Sequence, residues 1–116
     1  MIVRKQEGRI VIVLNDQPPE NGCRPSVDVL FRSVAAAYSE GVVAIILTGM
    51  GCDGAKSLGP LKRNGAYVIA QDEASSVVWG MPGAAAATNL VDEVLPLERI
   101  GPTVASLLGL RTTLCN

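Results

Sequence analysis

The sequence of 116 residues predicts an α/β fold, a doubly wound and mainly parallel sheet with helices on both faces, preceded by a β-hairpin. Three observations predict it. Ile2–Lys5 and Arg9–Leu14 are runs rich in β-branched residues, separated by Gln6-Glu7-Gly8, the pattern of a hairpin. Val42–Leu47 (VVAIIL) and Ala66–Ala70 (AYVIA) are continuous apolar runs of strand length, as expected of parallel strands covered on both faces. Segments of helical period separate these runs, so the order after the hairpin is helix, strand, helix, strand, helix, strand, helix. Such alternation specifies a layered fold with right-handed crossovers.

Each element has its own grounds. Asn15–Gly22 (NDQPPENG) is a turn-rich connection, because its prolines lack a donor and its Asn-Gly pair favours a left-handed turn. Pro25 suits the first turn of a helix, with Ser26 and Asp28 favourable near its positive end. Val27, Leu30, Phe31, Val34, Ala35 and Tyr38 then repeat as one apolar helical face, and Asp28 and Arg32 are expected to pair on the other. Gly41 ends this helix. Thr48–Gly54 is a glycine-rich turn, and Ala55–Arg63 is expected to be helical, with Gly59-Pro60 a weak point and Asn64-Gly65 the stop. Lys62 and Arg63 read as a solvated helix end that complements the macrodipole. Ala74–Trp79 and Pro82–Thr88 read as two short helices broken at Gly80-Met81, Val91–Leu95 as a short strand, and Leu97–Leu108 as an amphipathic helix that tolerates Pro102. No repeat or polar linker divides the chain, so residues 1–116 read as a single domain, with the hairpin at 2–14 and the α/β units at 24–108.

Composition narrows the function. Ten basic against eleven acidic residues, a net charge of -1, offer no electrostatic case for nucleic-acid binding. Uncharged apolar runs fall far below the ~20 residues of a membrane span, so no membrane insertion is expected. Cys23, Cys52 and Cys115 are odd in number and form no CxxC, which points to free thiols in a reducing cytoplasm and not to a disulfide frame or a zinc site. The sequence contains 0 histidines, which excludes every mechanism using an in-chain imidazole base and every histidine-ligated metal. No cofactor is called for.

Ligands of parallel sheets sit in loops at the carboxyl ends of the strands, which singles out Thr48-Gly49-Met50-Gly51-Cys52-Asp53-Gly54. Gly49, Gly51 and Gly54 satisfy GxGxxG, with Asp72 or Glu73 at the end of the next strand, so a nucleotide-binding module is one reading. Against it, the Asp53 carboxylate would stand where a pyrophosphate should lie. In the plainer reading the glycines make a tight strand-to-helix turn and Asp53 caps the helix that follows. Asp72 and Glu73 point to opposite faces of a strand, so they read as caps and not as an acid/base pair. Trp79 and Met81 line a groove or fill the core, with core filling favoured.

The wider sequence carries a resemblance. Arg24-Pro25-Ser26-Val27-Asp28-Val29-Leu30-Phe31, then Leu47–Ala55 (LTGMGCDGA), then Ile69–Val78 with Gly80-Met81-Pro82, then Val91-Asp92-Glu93-Val94-Leu95-Pro96-Leu97 occur in this order and spacing. Together they resemble the catalytic domain of CheB-type protein-glutamate methylesterases of bacterial chemotaxis, from the hairpin to about Leu108. The resemblance implies a truncated, Rossmann-like methylesterase domain, and a serine hydrolase that removes the methyl ester of a receptor glutamate. It places the triad aspartate at Asp53 and sets the backbone of Met50 near the oxyanion site. The family's nucleophilic serine and its histidine lie before the matched region, and no serine here sits in a GxSxG-like elbow. The expectation is therefore the C-terminal portion of a methylesterase, inactive alone, with a methylated chemoreceptor as partner and either a homodimer or a complementing N-terminal segment. Cys23 stands where relatives often carry a histidine outside the triad. Cys52 reads as a small, ordinary thiol. A non-catalytic interaction protein of the same fold is the alternative, alongside the nucleotide-binding module.

Overall fold

The computed structural model describes residues 1–109. Strands β1 (Ile2–Gln6) and β2 (Arg9–Val13) form the expected hairpin, paired antiparallel with Ile2 opposite Val13. Glu7 (φ 51°) and Gly8 (φ 76°) supply the two left-handed residues of its turn. Helix α1 (Val27–Ala37) follows, and the Ser33 hydroxyl accepts the Val3 N–H, fastening the hairpin to it.

The second sheet holds β3 (Val43–Ile46), β4 (Tyr67–Gln71) and β5 (Glu93–Leu95) side by side in chain order, all parallel. Helices α2 (Leu58–Arg63), α3 (Met81–Ala87) and α4 (Leu97–Leu107) complete the fold. Alternation along the strands divides the core into two layers. Ala44, Ile46 and Val68 meet Leu58 and Leu61 of α2, Ala85 of α3, and Phe31 and Val34 of α1 on one face. Ile69 and Leu95 meet Ile100 and Val104 of α4 on the other. The parallel sheet thus has helices on both faces, as the two-sided apolar runs require.

Four expectations need correction. Ala55 to Ser57 are not helical: α2 begins at Leu58, because Gly54 takes φ 98° and the chain turns once more before the helix starts. Ala74–Trp79 forms no helix. The Asp72 carboxylate accepts the Ser75 N–H and hydroxyl, the Ser76 hydroxyl donates to the Asp72 carbonyl, and Trp79 bridges Gly49 in parallel. Side-chain bonds to the local backbone replace the helical ladder there. Asp28 does not pair with Arg32 on an exposed face: Asp28 is fully buried and Arg32 is bound instead to Glu20. Lys62 is likewise not a free helix end, since its ammonium donates to both oxygens of Asp92 at 2.9 and 2.8 Å and to the Ala66 carbonyl.

Leu58 has no exposed surface and lies between α2 and the sheet. Leu58→Ala is expected to lower the unfolding free energy by about 2–5 kcal/mol in urea titration. Val77→Ser, at a residue 91% exposed, is expected to stay within about 0.5 kcal/mol.

Candidate active site

Strand β3 ends at Ile46, and the chain enters the loop Thr48–Gly54 at the carboxyl edge of the sheet. Gln71, at the end of β4 and almost fully buried, holds the start of this loop. Its Oε1 accepts the Thr48 N–H at 2.8 Å and its Nε2 donates to the Ser75 carbonyl. The Thr48 hydroxyl donates to the Val78 carbonyl and accepts the Val78 N–H, while Gly49 N–H donates to the same carbonyl. The loop is therefore pinned to residues 78–81 as an added stretch of parallel pairing. Gly80 makes this approach possible: a Cβ there would lie 2.7 Å from the Gly49 carbonyl oxygen and 2.8 Å from that of Gly51, both backbone atoms that cannot give way.

Asp53 lies in the same loop and is only 3% exposed. Its carboxylate does cap a helix, but not the one that follows it. Asp53 Oδ2 accepts the Val27 N–H at 2.6 Å and Oδ1 accepts the Asp28 N–H at 3.1 Å, so the group closes the N-terminus of α1, 26 residues upstream. Oδ1 also accepts the Ser26 hydroxyl at 2.8 Å and the Asn21 amide at 2.9 Å. Burial by itself pushes the Asp53 carboxyl up. The Val27 N–H, the Asn21 amide, the Asp28 N–H and the Ser26 hydroxyl outweigh it and hold the group below its ordinary value, as an anion.

The buried Asp28 lies beside it. Its Oδ1 accepts the Ser57 N–H and its Oδ2 accepts the Asn21 amide, so two carboxylates share one amide group. Asn21 and Gly22 take φ 55° and 73°, and Glu20 and Cys23 exchange both backbone hydrogen bonds across them. That is the tight turn the Asn-Gly pair predicts. The Arg32 guanidinium binds both Glu20 oxygens at 2.6 Å and ties the turn to α1.

The remaining candidates separate. Met50 stands beside this network in sequence but is 83% exposed, and its N–H donates to no described residue. Gly49 packs against Met81 and Gly54 against Val27, so these glycines admit protein side chains. The turn does not open directly onto a helix, and α2 has only six residues, which is not the arrangement a dinucleotide fingerprint needs. Asp72 binds Ser75 and lies apart from the Asp53 network. Trp79 is half-exposed with its indole N–H on the Gln71 carbonyl, and Met81 packs on the core. Cys23 and Cys52 are free thiols, the second exposed; Cys115 lies outside the described residues. Among the described residues no group of three or more Cys, Asp or Glu could hold a metal ion. Asn21 and Gln71 escaped the sequence reading of the site. The Asn-Gly turn marked the first as a turn residue only, and nothing local marks the second.

Asp53 stabilises the fold in a pH-dependent way. Its folded-state value lies below the ordinary 3.8. The stabilisation is therefore complete above the unfolded value and is lost as pH falls through the folded one. Asp92 contributes in the same direction: burial pushes it up, but the Lys62 ammonium and the Val68 N–H hold it down. Urea unfolding between about pH 2 and 5 is expected to show stability falling with acid, and Asp53→Asn is expected to flatten that limb. An equally steep limb in the variant would contradict the assignment.

Comparison with known proteins places this geometry in a family. Residues 1–104 match the family profile described as CheB methylesterase. The protein-glutamate methylesterase/protein-glutamine glutaminase 1 of Paramagnetospirillum magneticum is 53% identical over 111 residues, 96% of this chain and 29% of that protein. The corresponding protein of Hahella chejuensis is 57% identical over 96 residues, 83% of this chain and 27% of its own length. The crystal structure of the Thermotoga maritima CheB methylesterase catalytic domain superposes with a TM-score of 0.86 at 35% identity, covering 90% of this chain and 56% of that domain. The chain thus spans under a third of the length of these curated relatives. It belongs to the CheB methylesterase family and corresponds to a portion of its catalytic domain.

Proposed function

We propose that this chain supplies the aspartate limb of a serine-hydrolase active site that removes methyl esters from glutamates of a chemoreceptor, in the cytoplasm. The observation that carries the reading is the Asp53 carboxylate, held anionic by four donors in the loop at the carboxyl end of β3. In this reading residues 1–116 are one partial domain, and the serine and histidine come from a segment that precedes it in the catalytic domain. The serine attacks the ester carbonyl while the imidazole takes its proton. Methanol leaves with that proton, and water then hydrolyses the acyl-enzyme to the free glutamate. Asp53 holds the imidazole in one tautomer and stabilises the imidazolium. Three donors converge on Oδ1 and one on Oδ2, so Oδ2 is the oxygen we assign to the imidazole N–H. The Met50 N–H, which donates to no described residue, is our candidate for the oxyanion.

Hydrolysis of methylated receptor tests this. The chain alone is expected to be inactive, because it contains 0 histidines to activate a serine. Adding the serine- and histidine-bearing segment in trans is expected to restore methanol release, and Asp53→Asn to lower the restored rate by about 10⁴-fold, as in other triads. Activity of the chain alone that disappears in Asp53→Ala would mean that a serine here works without histidine.

The segment would cover surfaces left open here. Among the described residues β3 pairs with β4 alone, and Leu47, Met50 and Val77 are 45%, 83% and 91% exposed at that end of the sheet. Open edges and apolar patches pair with what is at hand. In the segment's absence the chain is expected to associate with itself, most simply as a two-fold dimer. A monodisperse monomer in light scattering would count against this.

A further inference from the structure

We infer that Asn21 is a positioning residue of Asp53: its side-chain amide, carried on a tight turn, bridges the Asp28 and Asp53 carboxylates and, together with the α1 donors, sets the orientation of the Asp53 carboxylate. The inference rests on the active-site reading for its catalytic meaning, and on geometry alone for its substance.

The Asn21 amide nitrogen lies 2.7 Å from Asp28 Oδ2 and 2.9 Å from Asp53 Oδ1. An ionised carboxylate only accepts, and an amide nitrogen has two N–H groups, so one goes to each carboxylate. Without the amide the Asp53 Oδ1 and Asp28 Oδ2 oxygens would lose the donor they share, under little solvent: Asp28 is fully buried and Asp53 is 3% exposed. With one donor fewer on Oδ1 the Asp53 carboxylate is freer to turn, and its turning moves Oδ2.

The amide is held in place from both sides. The backbone hydrogen bonds between Glu20 and Cys23 close the turn, and the Glu20–Arg32 pair fastens it to α1, the helix Asp53 caps. Asp28 is anchored in turn by the Ser57 N–H, on the same β3–α2 connection that carries Asp53. Charged groups of three segments surround the pair: Asp28 and Arg32 on α1, Glu20 on the turn, and Lys56 beyond Asp53, near Glu20. Asn21 is the neutral member of this set whose amide meets both buried carboxylates.

The test is a carboxyl-carbon NMR titration of the 116-residue chain. In the wild type the Asn21 side-chain amide protons are expected to exchange slowly and to shift with the same midpoint as the Asp53 carboxyl carbon. Asn21→Gly keeps the left-handed turn residue, which glycine adopts without strain, and removes the amide. Its Asp53 midpoint is expected to move upward while the core amide spectrum is retained. A folded N21G variant with an unmoved midpoint would overturn the inference. If N21G fails to fold, the wild-type amide signals decide: a flat response across the Asp53 titration overturns it, and a matching one supports it. Neither readout involves ester hydrolysis, so a failure of the esterase reading remains separate from a failure of this one.

Discussion

The Asp53 carboxylate is the point on which this arrangement depends. It closes the N-terminus of α1 with two backbone N–H groups, so the first helix is oriented by a residue that belongs to the far side of β3. A helix start presents orphan donors and a positive dipole, and an anion there is stabilised without any counter-charge. The same contact fixes the loop: Asp53 cannot leave α1 without exposing those donors, and Gly54 behind it packs against Val27 of that helix. Capping the helix and presenting a charged carboxylate at the sheet end are one interaction.

Around that contact the loops at the carboxyl ends of β3 and β4 brace each other. Gln71 holds Thr48 and Ser75 together from inside, and the backbone of Gly49 pairs with Val78 and Met81. Gly80 is the residue that lets these backbones approach. A site built from such loops gains its rigidity from buried amide groups and close backbone contact, with few charged pairs. Where charges do pair, as in Glu20 with Arg32, they fasten a turn to a helix and lie at the surface.

Most of the architecture was legible because burial on two faces and helical period leave strong marks. The hairpin, α1, strands β3 and β4 and the order of the layers all follow from patterns within each segment. The misreadings occur where a segment's partners are distant. Asp28 sits on the side of α1 away from its apolar stripe, which read as solvent; in the fold that side meets Ser57 and the Asn21 turn. Residues 74–79 have a composition compatible with a helix, yet Thr48 and Gly49 take their backbone groups into a parallel bridge. The start of α2 slipped by three residues because the left-handed Gly54 extends the turn.

By itself the sequence determined the α/β class, the tight Asn-Gly turn, the glycine loop after β3 and, through matched segments, Asp53 as the residue to follow. These are local properties: period, β-branching, turn chemistry and the order of motifs along the chain. Only the tertiary structure decided which helix Asp53 caps, that Asp28 is buried beside it, and that Asn21 bonds both carboxylates while Gln71 holds the start of the loop. Most of the hydrogen bonds that create that environment join partners 23 to 32 residues apart in sequence. No periodicity encodes such pairs, because a carboxylate's partners are selected by where the folded chain brings its donors.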